Sequence, residues 1–151
     1  MARRLGDQAR EFQRVLSDLV KLYQFRDRNE TVAHGISVSQ AYALGALAQH
    51  GALTMGGLAA ELHLTVSTMT RVVDQLVGRS LAKRVTDPDD RRVCRVQPTA
   101  RGRALWRRLE HELLEIDEEV LRTLSSTERE ALIRALRLLS RATLAWRERS
   151  I

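Results

Sequence analysis

The sequence predicts a mainly α-helical fold that carries one small β-hairpin. Only two prolines, Pro88 and Pro98, interrupt 151 residues rich in Leu, Ala, Arg and Glu, all of which favour helix. Apolar residues recur at helical spacing through most of the chain. Between Leu81 and Gln97 that period gives way to the β-branched Val85, Val93 and Val96, set around an Asp-Pro-Asp-Asp turn. Hydrophobic residues make up 44% of the chain, enough for a packed core.

Residues 7 to about 28 contain no Gly or Pro, and Phe12, Val15, Leu16, Leu19, Leu22 and Tyr23 mark one helix face. Asn29 to Ser37, with Gly35, reads as a loop. Ser39 is the expected N-cap of a helix from Gln40 to about His50, stopped by Gly51. Thr54 caps a short helix bearing Leu58, Ala59 and Leu62, and a turn at His63-Leu64 follows. Thr65 caps a helix to about Gly78, with Met69, Val72, Val73 and Leu76 as its inner stripe. Two short helices joined by a tight turn make a helix-turn-helix candidate. Leu81–Thr86 and Arg92–Gln97 read as the hairpin strands. Thr99 caps a long helix from Ala100 to about Leu124, with Leu105, Leu109, Leu113, Ile116 and Val120 inward. Ser126 or Thr127 caps the last helix, where Thr127 to Glu130 resembles a capping box. Leu132, Leu136, Leu139, Thr143 and Trp146 recur there at 4,3,4,3 spacing, a seam suited to another helix.

The net charge is +6, and 23 of the 25 basic residues are arginine, whose planar fork suits phosphate. Residues 79–108 hold ten basic groups against three acids, a net of +7, whereas residues 110–130 hold eight acids against two arginines, a net of −6. Such polarity attracts a polyanion to one end of the chain. Cys94, the single cysteine, excludes an intrachain disulfide and fits a reducing cytoplasm. The first residues lack a signal peptide's apolar stretch, and no run is long enough to span a bilayer. The four histidines, His34, His50, His63 and His111, show no ligand spacing, and no phosphate loop or nucleophile motif is present. The expectation is therefore a protein without catalysis, cofactor or metal.

On the helix that starts at Thr65, Ser67, Thr68, Thr70, Arg71 and Asp74 fall opposite the apolar stripe. Small hydroxyls let a helix approach base edges, Arg71 can reach guanine, and a helix N-terminus suits phosphate. At the hairpin tip Asp90 adjoins Arg91 and Arg92. A carboxylate there can orient one arginine for a narrow minor groove. The plainer readings are a solvated helix face and a turn kept from edge pairing by charge.

From Leu44 to Gly102 the chain resembles the MarR family of bacterial transcriptional regulators. The matching strings are LTMGGLAAELHLTVSTMTRVVDQLVGRSLAKR and DPDDRRVCRVQPTARG, the second close to the family's D-P-x-D-R-R and L-T-x-x-G. The resemblance implies a winged helix-turn-helix over residues 38–98, with 1–37 and 99–151 forming N- and C-terminal dimerisation helices. It implies a homodimer on an inverted repeat of double-stranded DNA, probed by Ser67, Thr68, Thr70 and Arg71 in the major groove and Arg92 in the minor groove. Asp90 would orient Arg92, Thr54 would meet phosphate, and Thr65 and Arg91 would flank these contacts. It also implies a small-molecule effector, with Tyr23, Tyr42 and Trp106 as the aromatic lining, and a dimer interface including Phe12, Leu16, Leu132, Leu136, Leu139 and Trp146.

Two residues depart from the family pattern. Ser80 replaces a glycine, with Gly78 expected to stop the helix instead. Pro98 replaces a leucine, so the second strand is expected to end early. Alternatives in the same fold are a redox regulator, in which arginines around Cys94 favour its thiolate, and a metal-responsive one. A protein-interaction module using the acidic 110–130 segment is the alternative from another class.

Overall fold

The computed structural model describes residues 4–149. The elements run α1 (Leu5–Ala33), α2 (Val38–His50), β1 (Leu53–Thr54), α3 (Met55–Glu61), α4 (Val66–Gly78), β2 (Ala82–Thr86), β3 (Cys94–Pro98), α5 (Ala100–Arg122) and α6 (Ser126–Arg149). They fall into two compact units, Met1–Leu113 and Leu114–Ile151.

In the first unit the core gathers where α2, α3, α4, the sheet and the start of α5 meet. Leu44, Leu47, Leu58, Met69, Val73, Leu76, Val96 and Leu109 are all but sealed from water. Truncating one of the core leucines to alanine costs about 2–5 kcal/mol in such a setting. The inner stripe expected on α4 is the buried one. The sheet has one strand more than the expected hairpin. Two-residue β1 pairs with β3, giving the antiparallel order β1-β3-β2.

Several element ends differ from expectation. The first helix runs on to Ala33, because Asp27 and Thr31 are buried in its last turns and the break comes only at Gly35. Ser37, not Ser39, caps α2. Its hydroxyl accepts from the Gln40 backbone N–H at 3.2 Å, and the Gln40 side chain accepts from the Ser37 N–H at 3.0 Å. In the second unit Ser125 caps α6, and Glu128 rather than Glu130 reaches back to the Ser125 N–H at 2.8 Å. The Ser125 hydroxyl and N–H together hold the Glu128 carboxyl below its ordinary range.

Three helices end in the same way. A residue in the left-handed region follows α1, α3 and α4, namely Gly35, His63 and Ser80. In each case its N–H and the next one turn back to free carbonyls, as in Ser80 N to Val77 O at 2.9 Å and Leu81 N to Leu76 O at 2.8 Å. Gly78 therefore lies within α4, and Ser80 makes the turn despite its side chain. Pro98 does not shorten β3. Thr99 N donates to the Leu81 carbonyl at 3.0 Å, so the neighbouring Ala82–Pro98 pair is one that exchanges no hydrogen bond, and the missing N–H costs nothing there.

Leu81 is also where α5 begins its climb. Its carbonyl accepts from the Thr99 backbone, and the Thr99 hydroxyl caps α5 by accepting from Gly102 N at 3.0 Å. A β-carbon at Gly102 would collide with the Leu81 carbonyl. The α1 and α6 helices contrast with this core. The residues buried in α1 are Asp27 and Thr31, and among the described residues of α6 none is buried.

Two substitutions separate these backbone effects. Ser80→Gly removes a left-handed penalty of about 1–2 kcal/mol but adds unfolded-chain entropy, so a net gain of roughly 0.5–1 kcal/mol is expected. Gly102→Ala is expected to lose about 3 kcal/mol or more, because backbone must move. Denaturant midpoints at unchanged slope check both.

Candidate nucleic-acid interface

The site is built around the entry to α4. The Thr65 hydroxyl accepts from Thr68 N at 3.2 Å and lies 3.1 Å from the Ser67 hydroxyl and 2.9 Å from that of Thr68. All three residues are exposed, so the first turn presents a cluster of small hydroxyls beside free backbone N–H groups. Thr70 is half-buried, and its hydroxyl donates to the Val66 carbonyl at 2.8 Å. Its proton is thus spent inside the helix. Arg71 is exposed one turn further along, with no side-chain hydrogen bond or ion pair among the described residues. Thr54 caps α3 by accepting from Gly57 N at 3.0 Å and keeps its own hydroxyl proton to donate.

The loop between β2 and β3 forms the wing. Asp90 is its tip carboxylate. It accepts from the Arg92 backbone N–H at 3.0 Å and from Arg92 Nε at 3.3 Å. The Arg92 side chain is nevertheless 92% exposed, so it is tethered at one nitrogen and open to solvent elsewhere. Arg91 is exposed beside it.

Sequence reasoning missed how the wing is held. Asp87 is buried and accepts from Asp89 N at 2.8 Å and Asp90 N at 3.2 Å, which closes the turn. It also accepts from Arg95 Nε, and Arg95 reaches the Ala52 carbonyl at 3.3 Å. Arg95 thus holds the wing to the segment just before β1. A carboxylate among turn amides, eight residues from an arginine on the returning strand, was the available signal. A second missed pair joins Arg84 Nη2 to Asp74 at 2.6 Å. Arg79, counted above within the basic segment, donates to the Gly35 carbonyl at the end of α1.

Of the three aromatic residues expected around an effector, two meet. Tyr42 and Trp106 line a cavity of about 570 Å³ between α2, α3 and α5, with Arg103, Arg107, Glu61 and Glu110 at its walls. The Trp106 ring lies so close to Gly45 that a β-carbon there would come within 2.7 Å of it. Tyr23 does not line this cavity; it sits on α1 with the Arg26 guanidinium 4.2 Å from its ring centre. The Tyr42 hydroxyl donates to Asp27 on α1. Burial, and then that hydrogen bond, push the Tyr42 phenol up to about 12. Of the residues expected at a dimer interface, Phe12, Leu132, Leu136 and Trp146 are exposed and Leu16 and Leu139 half-exposed. Cys94 is exposed on β3. Among the described residues no three His, Cys, Asp or Glu side chains gather to hold a metal, and no helix is long and apolar enough to cross a membrane.

A capped helix pair, a recognition-type helix and a β-wing folded on one core define a winged helix-turn-helix protein. A sequence model of the MarR family matches residues 34–93, which include both the helix pair and the wing tip. Over that segment the chain is similar to the MarR family. It is 28% identical over 92 residues to YsmB of Bacillus subtilis strain 168, an uncharacterised HTH-type transcriptional regulator, over 61% of this chain and 63% of that protein. The match thus spans less than two thirds of that relative's length. A MarR family protein from Bacillus stearothermophilus superposes with a TM-score of 0.85 at 25% identity, over 94% of this chain and 99% of that one. RV1404 from Mycobacterium tuberculosis superposes with a TM-score of 0.74 at 27% identity, over 94% and 96%.

The Asp87 contacts have a consequence in acid. First the hydrogen bond from Arg95, then the one from the Asp89 N–H, hold its carboxyl below the ordinary aspartate range. A depressed folded-state value means that its contribution is whole above the usual carboxylate range and fades as pH falls toward the lowered value. In an NMR titration the Asp87 carboxyl should titrate below a free aspartate, and Arg95→Ala should move the midpoint back up.

Proposed function

We propose that the chain is a DNA-binding transcriptional regulator, a repressor, that holds an inverted repeat as a homodimer and lets go when a small molecule binds. The observation that carries this reading is the pairing, on one compact unit, of an open hydroxyl-and-arginine face at the start of α4 with a tethered but solvent-exposed Arg92 at the wing tip. Ser67, Thr68, Thr70 and Arg71 enter the major groove. Thr70 offers its methyl and lone pairs, since its proton is committed. Arg92 enters the flanking minor groove, oriented by Asp90, with Arg91, Thr54 and the Thr65 end of α4 on phosphate. A nucleic-acid ligand puts this work in the cytoplasm, and no step of it is catalytic.

The exposed apolar faces of α1 and α6 support the dimer, because a second copy would remove them from water. The two recognition helices would then enter major grooves about one helical turn apart, roughly 10 bp centre to centre. The Tyr42–Trp106 cavity supports the effector: its size falls within the span typical of small-molecule sites, about 300–1,000 Å³.

Selection of bound duplexes from a random pool should return an inverted repeat. Failure to enrich any sequence at moderate salt would count against the reading. On the selected duplex, Arg71→Ala should cost about 1–3 kcal/mol and relax preference at one symmetric pair of positions. Arg92→Ala should weaken binding chiefly where the flank is A·T-rich and its minor groove narrow. Both variants should keep the helical circular-dichroism spectrum, since both side chains stand in solvent.

Deleting residues 127–151 tests the dimer. Monomers or aggregates without specific binding are expected, because one half-site alone holds the protein weakly. A truncated chain that sediments as a dimer would refute the interface.

A further inference from the structure

Asp74 is out of place on a surface meant for DNA. It shares a helix face with Ser67 and Arg71, at i, i+4 and i+7, where a lone carboxylate would repel phosphate. Arg84, ten residues on and across the turn at Ser80, meets it at 2.6 Å. The two side chains are 57% and 39% exposed, so water screens the pair and its contribution to folding is small. What the pair does supply is geometry. It ties the middle of α4 to β2 beyond the Leu81 joint where the strand departs, while the Arg95 contacts tie the wing to Ala52, just before β1, and make no link to α4.

We propose that Asp74 and Arg84 are positioning residues whose ion pair fixes the wing in register with the recognition helix, so that a half-site and its flank are read together at one spacing. This rests on the DNA-reading assignment above. The pair also keeps Arg84 off the phosphates. Without Asp74 that guanidinium is free to take one, adding affinity for any duplex and steepening the salt dependence by about 0.9 in log–log slope per phosphate.

The test uses the full-length protein and two duplexes: the selected inverted repeat with A·T-rich flanks, and the same duplex with one base pair inserted between each half-site and its flank. Wild-type protein should lose about tenfold in affinity on the inserted duplex, the scale of one mismatched contact. Asp74→Asn and Arg84→Gln should each reduce that discrimination to about threefold or less, with unchanged circular dichroism. The double variant should match the singles, since removing either partner already breaks the tie. Asp74→Asn, and not Arg84→Gln, should show the steeper salt slope. Single variants that discriminate as wild type does would overturn the proposal, and so would losses that add in the double variant. Wild-type protein indifferent to the insertion would overturn it too, while indifference to half-site and flank sequence alike would overturn the DNA-reading assignment itself.

Discussion

Leu81 is the joint on which the rest of the first unit depends. Its N–H ends α4 by bonding to Leu76, its side chain is buried, and its carbonyl receives Thr99 at the start of the next long helix. Three directions are therefore fixed within one residue: where α4 stops, where β2 departs and where α5 starts. Gly102 is the corollary, because α5 can approach that carbonyl only without a side chain. A winged helix needs its wing at a set angle to the helix before it, and here backbone hydrogen bonds in a dry setting fix the point and direction in which the first wing strand departs. Such bonds are strong where water cannot compete.

Around that joint the chain separates rigid from adaptable parts. The core between α2, α3, α4 and the sheet is dense and apolar, whereas the proposed DNA contacts are mostly exposed side chains, some held by a few polar bonds and Arg71 by none among the described residues. This division suits a surface that must meet a hydrated polyanion: the scaffold fixes positions, and side chains complete their contacts only when phosphate and bases arrive. The link from α2 to α1 is different in kind. The buried Asp27 accepts from the Tyr42 hydroxyl, and Tyr42 also lines the cavity with Trp106. A ligand that moved that ring would disturb a bond reaching the first helix.

The helix order, the Thr54, Thr65 and Thr99 caps, the buried stripe of α4 and the polar wing turn were legible because each depends on near neighbours in sequence. Errors arose where two local patterns compete. Ser37 and Ser39 are both able caps, and the Gln40 side chain decides for Ser37. Ser125, Ser126 and Thr127 stand in a row, and both Glu128 and Glu130 fit a box with one of them; Glu128 is the one that closes. β1 is two residues long and leaves no periodicity to read. Among the proposed site residues, the exposure of Ser67, Thr68, Arg71, Arg91 and Arg92 was legible, but the ion pairs around them were not. Asp74–Arg84 and Asp87–Arg95 join positions eight to ten apart across turns, and only the folded turn decides which of many arginines meets which acid.

The central claim, that the start of α4 and the wing tip bind DNA as one surface, is tested most directly by hydrogen–deuterium exchange of the full-length protein with and without its selected duplex. Slowed exchange is expected in two separate segments, residues 65–71 and 90–92, while amides of the buried core, already slow, stay as they are. Protection confined to α1 or α6, or to the acidic stretch 110–130, would contradict it.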